Sequence, residues 1–384
     1  MRLRQVGVLV ALMALLVSTV NAAAAAPRRE LLLDTGAAYP RVIRLEHSGA
    51  ANGRVFASIG SKVAGNGVGL ILESTDGGVS FQKVGTIADP EGVAGRGMCC
   101  GTLFELPRPL GAMPAGTLLW ATTVGWEVPE PGRTVKQRLW RSNDLGRTWS
   151  FLADMGSSPN QFNAWEPELS MARDGQLVVH WADESDKPNH DQKIVRARSA
   201  DGVNWSAPVD TVKNTDFFVR PGMPGVRQLP DGTYFMVYEV CNLDEPLCSV
   251  YFRTSADGWD WGDPFDLGTG IRTADGKYPR HTPTITVTPQ GAILMVPEML
   301  VNADGSHADG NGRTILVNEQ RGAGPWREIP APVEVPGVNN SGCRNFSPTL
   351  LASPDGGSVL QITTDLDGTV CKAYYGTGPI PPPS

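Results

Sequence analysis

Glu166 lies in the stretch NAWEPEL, and Glu239 closes the apolar run FMVYEV. An acid at the end of a segment built for burial loses hydration, so its neighbours rather than bulk water set its protonation state. Two such carboxyls converging on one bond, one protonated and one ionised, meet the requirement for cleaving a glycosidic linkage. The first donates to the leaving oxygen while the second attacks carbon or activates water. Glu168, two residues after Glu166, would share its face of a regular strand and competes for the same role. Pro167 between them makes strict alternation unsafe. Taken alone, Glu239 reads equally well as a carboxylate paired with an arginine for structure.

Other residues could surround such a pair. Arg41, Arg220 and either Arg280 or Arg344 head apolar segments. They could bind sugar hydroxyls or a substrate carboxylate in bidentate fashion, or pair with acids of the wall. His281 is the best placed of five histidines for a substrate hydrogen bond. Trp165 and Trp181 offer planar faces to a sugar ring, although such tryptophans more often belong to cores. Asp183 and Glu184 in WADESD either orient Glu166 or solvate a loop. His47, His180, His190 and His307 have no metal-ligand spacing, and NADGSHADGNG at 302–312 misses the alternation of a calcium loop. No metal and no cofactor is expected, and neither a Ser-His-Asp set nor a phosphate loop is present.

The elements that must carry these residues follow from two interleaved repeats. STDGGVSF (74–81), SNDLGRTW (142–149), SADGVNW (199–205) and SADGWDW (255–261) recur about sixty residues apart. Each has the chemistry of a tight hairpin turn: Asp bonds backbone amides, Gly supplies positive φ, and an aromatic closes over the turn. These segments resemble the Asp-boxes of sialidase-type β-propellers. The other repeat, a polar head, Pro and a strand followed by Gly and a second strand, begins near Tyr39, Cys99, Glu166, Arg220, His281 and Phe346. Six copies of about sixty residues, without helical periodicity, predict an all-β, six-bladed β-propeller in one domain over residues 27–384. ELLLDTG (30–36) is expected to complete the last blade, and only the tail GPIPPPS reads as disordered. In that ring Arg41, Cys100, Glu166, Arg220, His281 and Phe346 converge at the channel mouth.

Four stretches carry a more specific likeness: WEPELSMARDGQLVVHWADES, KPNHDQKIVRARSADGVNW, VRPGMPGVRQLPDGTYFMVYEV and YFRTSADGWDWGDPFDLGTGI. Together they resemble glycoside hydrolase family 93, exo-acting α-L-arabinofuranosidases on a sialidase-like six-bladed propeller. The resemblance spans about Tyr39 to Asp365. It implies a retaining enzyme that releases arabinobiose from linear 1,5-α-L-arabinan. Trp165-Glu166-Pro167 matches the family's acid/base motif and Tyr238-Glu239 its nucleophile motif, so the resemblance assigns those roles to Glu166 and Glu239. Arg41, Arg220, Trp165, Asp183, Tyr238, His281 and Arg344 are expected around the substrate. A sialidase-type enzyme and a non-catalytic carbohydrate-binding propeller are the alternatives. No Asp occupies position 166, and Phe346 stands where a sialidase-like site often places a tyrosine.

The bulk composition agrees with an exported protein. MRLRQ, an apolar stretch of about fifteen residues and NAAAAA read as a signal peptide over residues 1–26. That stretch is short for a membrane span, and none follows it. A net charge of −7 without basic clusters excludes nucleic acid and anionic membranes as partners. A polysaccharide or oligosaccharide substrate and a monomeric, extracellular protein are expected. Six cysteines in such a chain predict disulfides. Cys241 with Cys248 is the first choice and Cys343 with Cys371 is plausible. Cys99 and Cys100 either bond each other or go elsewhere.

Overall fold

A computed structural model describes residues 29–127, 134–158, 162–243 and 248–383, so the signal peptide expected at 1–26 lies outside the described residues. Six antiparallel sheets follow one another along the chain, each a blade with its first strand innermost. Blade one is Ala38–Arg44, Val55–Val63, Asn66–Ser74 and Gln82–Ile87. Blade two runs Met98–Glu105, Leu118–Val124, Val135–Ser142 and Ser150–Ser158, and blade three Ala164–Met171, Leu177–Asp183, Lys193–Ser199 and Val209–Val212. Blade four has Arg220–Gln228, Tyr234–Cys241 and Ser249–Ser255, edged by the short Thr269–Gly270. Blade five comprises Thr284–Val287, Ile293–Val296, Thr314–Asn318 and Arg327–Pro330. In blade six, Thr349–Ala352, Ser358–Asp367 and Val370–Pro379 are joined by Glu30–Leu33 from the other end of the chain. The expected ring closure is therefore present. The tail is more ordered than expected: Gly378 and Pro379 extend the last long strand, and Ile380 packs on the blade-five core.

Alternating side chains bury both faces of each sheet, so the core is a set of apolar layers between neighbouring blades. Trp120 shows how close these layers come. Its indole lies between Gly69 and Gly101, where an added Cβ would sit 2.6 and 2.3 Å away. All four Asp-boxes turn between the third and fourth strands of blades one to four. In each, Ser bonds the Gly amide, as Ser142 Oγ does with Gly146 N at 2.9 Å. Asp accepts from the next turn of backbone, as Asp144 Oδ1 does from Thr148 N at 2.9 Å. Blade five makes the same turn with Asn318, whose Oδ1 accepts from the amides of Gln320 and Gly322.

The feature that builds a site is a bulge near the head of the inner strands. Register shifts interrupt pairing at Ala38/Arg41, Cys99/Thr102, Trp165/Glu168 and Gly222/Gly225. In each interval a non-glycine residue takes positive φ: Tyr39 (49°), Cys100 (62°), Glu166 (50°) and Met223 (55°). Thr282 (41°) and Ser347 (50°) do so ahead of blades five and six. Proline follows five of the six, fixing the φ of the next residue and ending the excursion, and glycine follows Cys100. A bulge breaks the period of two, so residues flanking it no longer share a face. Left-handed φ costs about 1–3 kcal/mol at a non-glycine residue. Six such residues ringing one channel are a site-building device.

Candidate active site

The bulge separates the rival glutamates. Glu168 turns inward along the channel, where Arg227 Nη1 donates to it at 2.5 Å, Val226 N at 3.3 Å and Thr102 Oγ1 at 3.2 Å. Its side chain is 7% exposed and fully engaged, so it ties blades two, three and four together. Glu166, at the apex of the bulge, forms no hydrogen bond or ion pair with any described residue. Burial, then Glu239 and Glu184, push its carboxyl up to about 8, against the pull of Arg41 and Arg220. The expectation that both acids share one face fails because of the bulge, and of the two only Glu166 is left without a partner among the described residues.

Glu239 reaches the same mouth from blade four. Its strand pairs through Gly222↔Glu239 on the inner side and Glu239↔Val250 on the outer. Thr282 N, on the bulge ahead of blade five, donates to Glu239 Oε2 at 2.8 Å, and His281 Nδ1 lies 3.7 Å from the same oxygen. His281 is held in turn by Cys248, whose carbonyl accepts its N–H at 3.1 Å. Cys248 is bonded to Cys241, two residues past Glu239, and Cys241 Sγ is 3.7 Å from Glu239 Oε1. Glu239 and both sulfurs lie within 4.8 Å of one another. That spacing would suit a metal, but the sulfurs are consumed by their mutual bond and offer no thiolate. The other two pairs are Cys99–Cys100 and Cys343–Cys371. Among the described residues no cysteine is free.

Two groups that the sequence reading did not single out complete the mouth. Tyr39, on the bulge of blade one, packs edge-to-face on Phe346 at 5.3 Å. Its hydroxyl pKa is raised well above the ordinary value by burial and then by Glu166, with Glu239 and Glu298 adding to the effect. Glu298 is buried at 0% exposure, and neither carboxyl oxygen has a described hydrogen-bond partner. Burial and Glu239 push it up to about 8. The repeat contained its signal: FMVYEV at 235–240 and LMVPEM at 294–299 put glutamate at the same place.

The remaining expected residues divide into those at the mouth and those away from it. Arg220 is near Glu166, but its guanidinium is bonded to Asp191, to Glu184 at 2.9 Å and to Gln192 at 2.7 Å. Arg41 bonds the carbonyls of Pro40 at 2.7 Å and Ser347 at 3.3 Å beside Glu166 and Glu168. Trp165 donates from Nε1 to Glu184 at 3.1 Å and tilts against Trp126 at 5.2 Å, making an aromatic corner beside Glu166. Asp183 folds back on Ser185, and burial raises its carboxyl above the usual range. Tyr238 is core: it is fully buried and donates its hydroxyl to Leu267 O at 2.6 Å, on the strand face opposite Glu239. Arg344 bonds Gly337 O and lies 3.6 Å from Asp365.

No protein-family model and no curated protein sequence matches the chain. Solved structures do. The α-L-arabinofuranosidase of Fusarium graminearum, in complex with an iminosugar inhibitor, matches with a TM-score of 0.74 at 23% identity, over 91% of this chain and 94% of that one. The Penicillium chrysogenum α-L-arabinanase complexed with arabinobiose matches with a TM-score of 0.71 at 24% identity, over 89% and 93%. Trypanosoma rangeli sialidase matches more distantly, with a TM-score of 0.54 at 10% identity, over 89% of this chain and 55% of that one. The predicted sialidase-like six-bladed propeller is the fold of this chain.

Proposed function

We propose that this protein is an exported, retaining exo-glycoside hydrolase of the family 93 type. Its substrate is linear α-1,5-arabinofuranose chains, from which it releases arabinobiose. One observation carries the reading. Glu166, without a partner among the described residues, feels the charge of Glu239, a glutamate held by the backbone N–H of Thr282 with His281 beside it. Glu166 donates its proton to the glycosidic oxygen as Glu239 attacks the anomeric carbon, and water then hydrolyses the glycosyl-enzyme with Glu166 acting as base.

Supporting this reading, arabinobiose is bound in the family 93 arabinofuranosidase of F. graminearum, which has a TM-score of 0.74 to this chain. The three disulfides suit an extracellular location and the signal peptide expected at 1–26. The arginines weigh against a sialidase. Arg220 and Arg344 already face acids, and Arg41 faces backbone carbonyls, so each of the three is engaged within the protein.

Incubation with linear 1,5-arabinan and with a sialoside, followed by product sizing, tests the proposal. Arabinobiose as the sole early product is expected. Release of sialic acid, or binding of arabinan without any product, would overturn it.

A further inference from the structure

The repeat places Glu298 and Glu239 at matching points of neighbouring blades. Glu239 sits opposite Gly222, the residue before the bulge of blade four. Glu298 donates its N–H at 3.0 Å to the carbonyl of His281, the residue before Thr282 on the blade-five bulge. The corresponding positions are Thr123 in blade two, opposite Cys99, and Ala182 in blade three, opposite Trp165. The blade therefore does not need an acid at this point. A small residue fills it elsewhere, whereas a fully buried carboxyl with neither oxygen paired is costly.

The surroundings fix Glu298 in place. Asn345 Nδ2 donates to the carbonyls of Pro297 at 2.9 Å and Glu298 at 2.8 Å, and Asn345 Oδ1 accepts from Thr363 Oγ1 at 2.8 Å. From blade four, Glu239 is the charged group that acts on the Glu298 carboxyl. His281 stands between them, 3.7 Å from Glu239 and bonded through its carbonyl to Glu298 N. Blade one contributes Tyr39, which senses Glu166, Glu239 and Glu298 together, and Arg41, which faces Tyr39, Glu166 and Glu168 rather than Glu298.

We propose that Glu298 is a positioning residue for the reaction, which runs only while Glu298 is the neutral acid beside Glu239. This rests on the reading of the site given above. Loss of the Glu298 proton to solvent puts a second negative charge against the nucleophile, with no described cation bonded to it. The Thr282–His281 frame that orients Glu239 then moves to relieve the repulsion. Two protons, on Glu166 and on Glu298, are thus required on the alkaline side. Burial and neighbouring charge push both groups up to about 8.

The test is the slope of log kcat/KM against pH on an arabino-oligosaccharide. Wild type is expected to fall with a slope of −2 at high pH. Glu298→Gln, which keeps a neutral group of the same shape, is expected to fall with a slope of −1. Glu298→Ala should lower kcat about tenfold with KM nearly unchanged. Superimposable profiles for wild type and Glu298→Gln would overturn the proposal. A readout independent of any substrate is the infrared difference spectrum of wild type minus Glu298→Gln. It should contain the C=O stretch of a protonated carboxyl at pH 6, lost as pH rises through about 8. Absence of that band sinks the inference even if arabinan is cleaved, and its presence stands even if another glycan is the substrate. Should Glu298→Gln not fold, Glu298→Thr supplies the residue type found at Thr123 in blade two.

Discussion

Thr282 donates its backbone N–H to Glu239 Oε2 at 2.8 Å from a left-handed φ of 41°. A β-branched residue avoids that conformation, so the fold stores strain at the point where one blade aims the carboxylate of another. The strain has a use. It turns the amide toward the channel without spending a side chain on the contact.

Replacing the two catalytic candidates should have separable effects. Glu166→Ala is expected to lower kcat on arabinan about 10²–10⁴-fold. It should cost far less on an aryl arabinofuranoside, whose leaving group needs little protonation. Glu239→Ala should abolish turnover of both substrates. Circular dichroism and Tm close to wild type would show that folding is intact, and near-wild-type turnover by either variant would refute the assignment.

The pH dependence follows from the acid. Glu166 must carry a proton to donate it, and it is held up to about 8, so kcat/KM should be flat near neutrality and fall as pH rises through that value. Glu166→Gln should lose one of the two alkaline ionisations and keep only the limb set by Glu298, so an unchanged slope of −2 in that variant would locate the titration elsewhere.

Stability should change in the same window. The unfolded chain loses the Glu166 and Glu298 protons near pH 4.3, whereas the folded protein keeps both up to about 8. The folded state thus binds more protons over this range, and its stability falls as pH rises through it. Glu298→Gln should therefore gain Tm relative to wild type between pH 5 and pH 9, read by calorimetry across that range.

Cys241 and Cys248 bracket the nucleophile, so their disulfide is expected to govern turnover more than folding. Cys241→Ala with Cys248→Ala frees the strand end carrying Glu239 and the carbonyl that holds His281. Displacement of about 1 Å at a reacting group costs up to about 10²-fold in rate. kcat should fall about 10–100-fold while Tm changes little, because five blades are untouched.

Glu168→Ala tests the division made by the bulge. It leaves Arg227 without its carboxylate and should cost about 1–3 kcal/mol of stability, measured by denaturant unfolding. Turnover should exceed that of Glu166→Ala at the same pH.

Much of this was legible in the residues. Four Ser-Asp-Gly-aromatic turns and six strand repeats announced the blades, and Glu166 and Glu239 announced themselves as acids in apolar contexts. Tyr238 was misplaced at the substrate, although alternation along the strand puts it on the face opposite Glu239 and into the core. The bulges were not legible. A left-handed residue before proline or glycine leaves no composition signal when tyrosine, cysteine, glutamate, methionine, threonine and serine all serve, and only the ring shows what the six share. Glu298 was hidden by its neighbour, because Pro297 disguises a strand end that matches Glu239. The state of Arg220 depends on Glu184, Asp191 and Gln192 folding back over it, a tertiary fact with no local pattern.

The pairing of Glu30–Leu33 with Val370–Pro379 has a consequence for how the molecule comes into being. The partner of Glu30–Leu33 is synthesised only after the strands of all the intervening blades, so the annulus cannot lock until Val370–Pro379 has been made. Until that latch engages, the third and fourth units are free to drift, and the acids they hold have no common target.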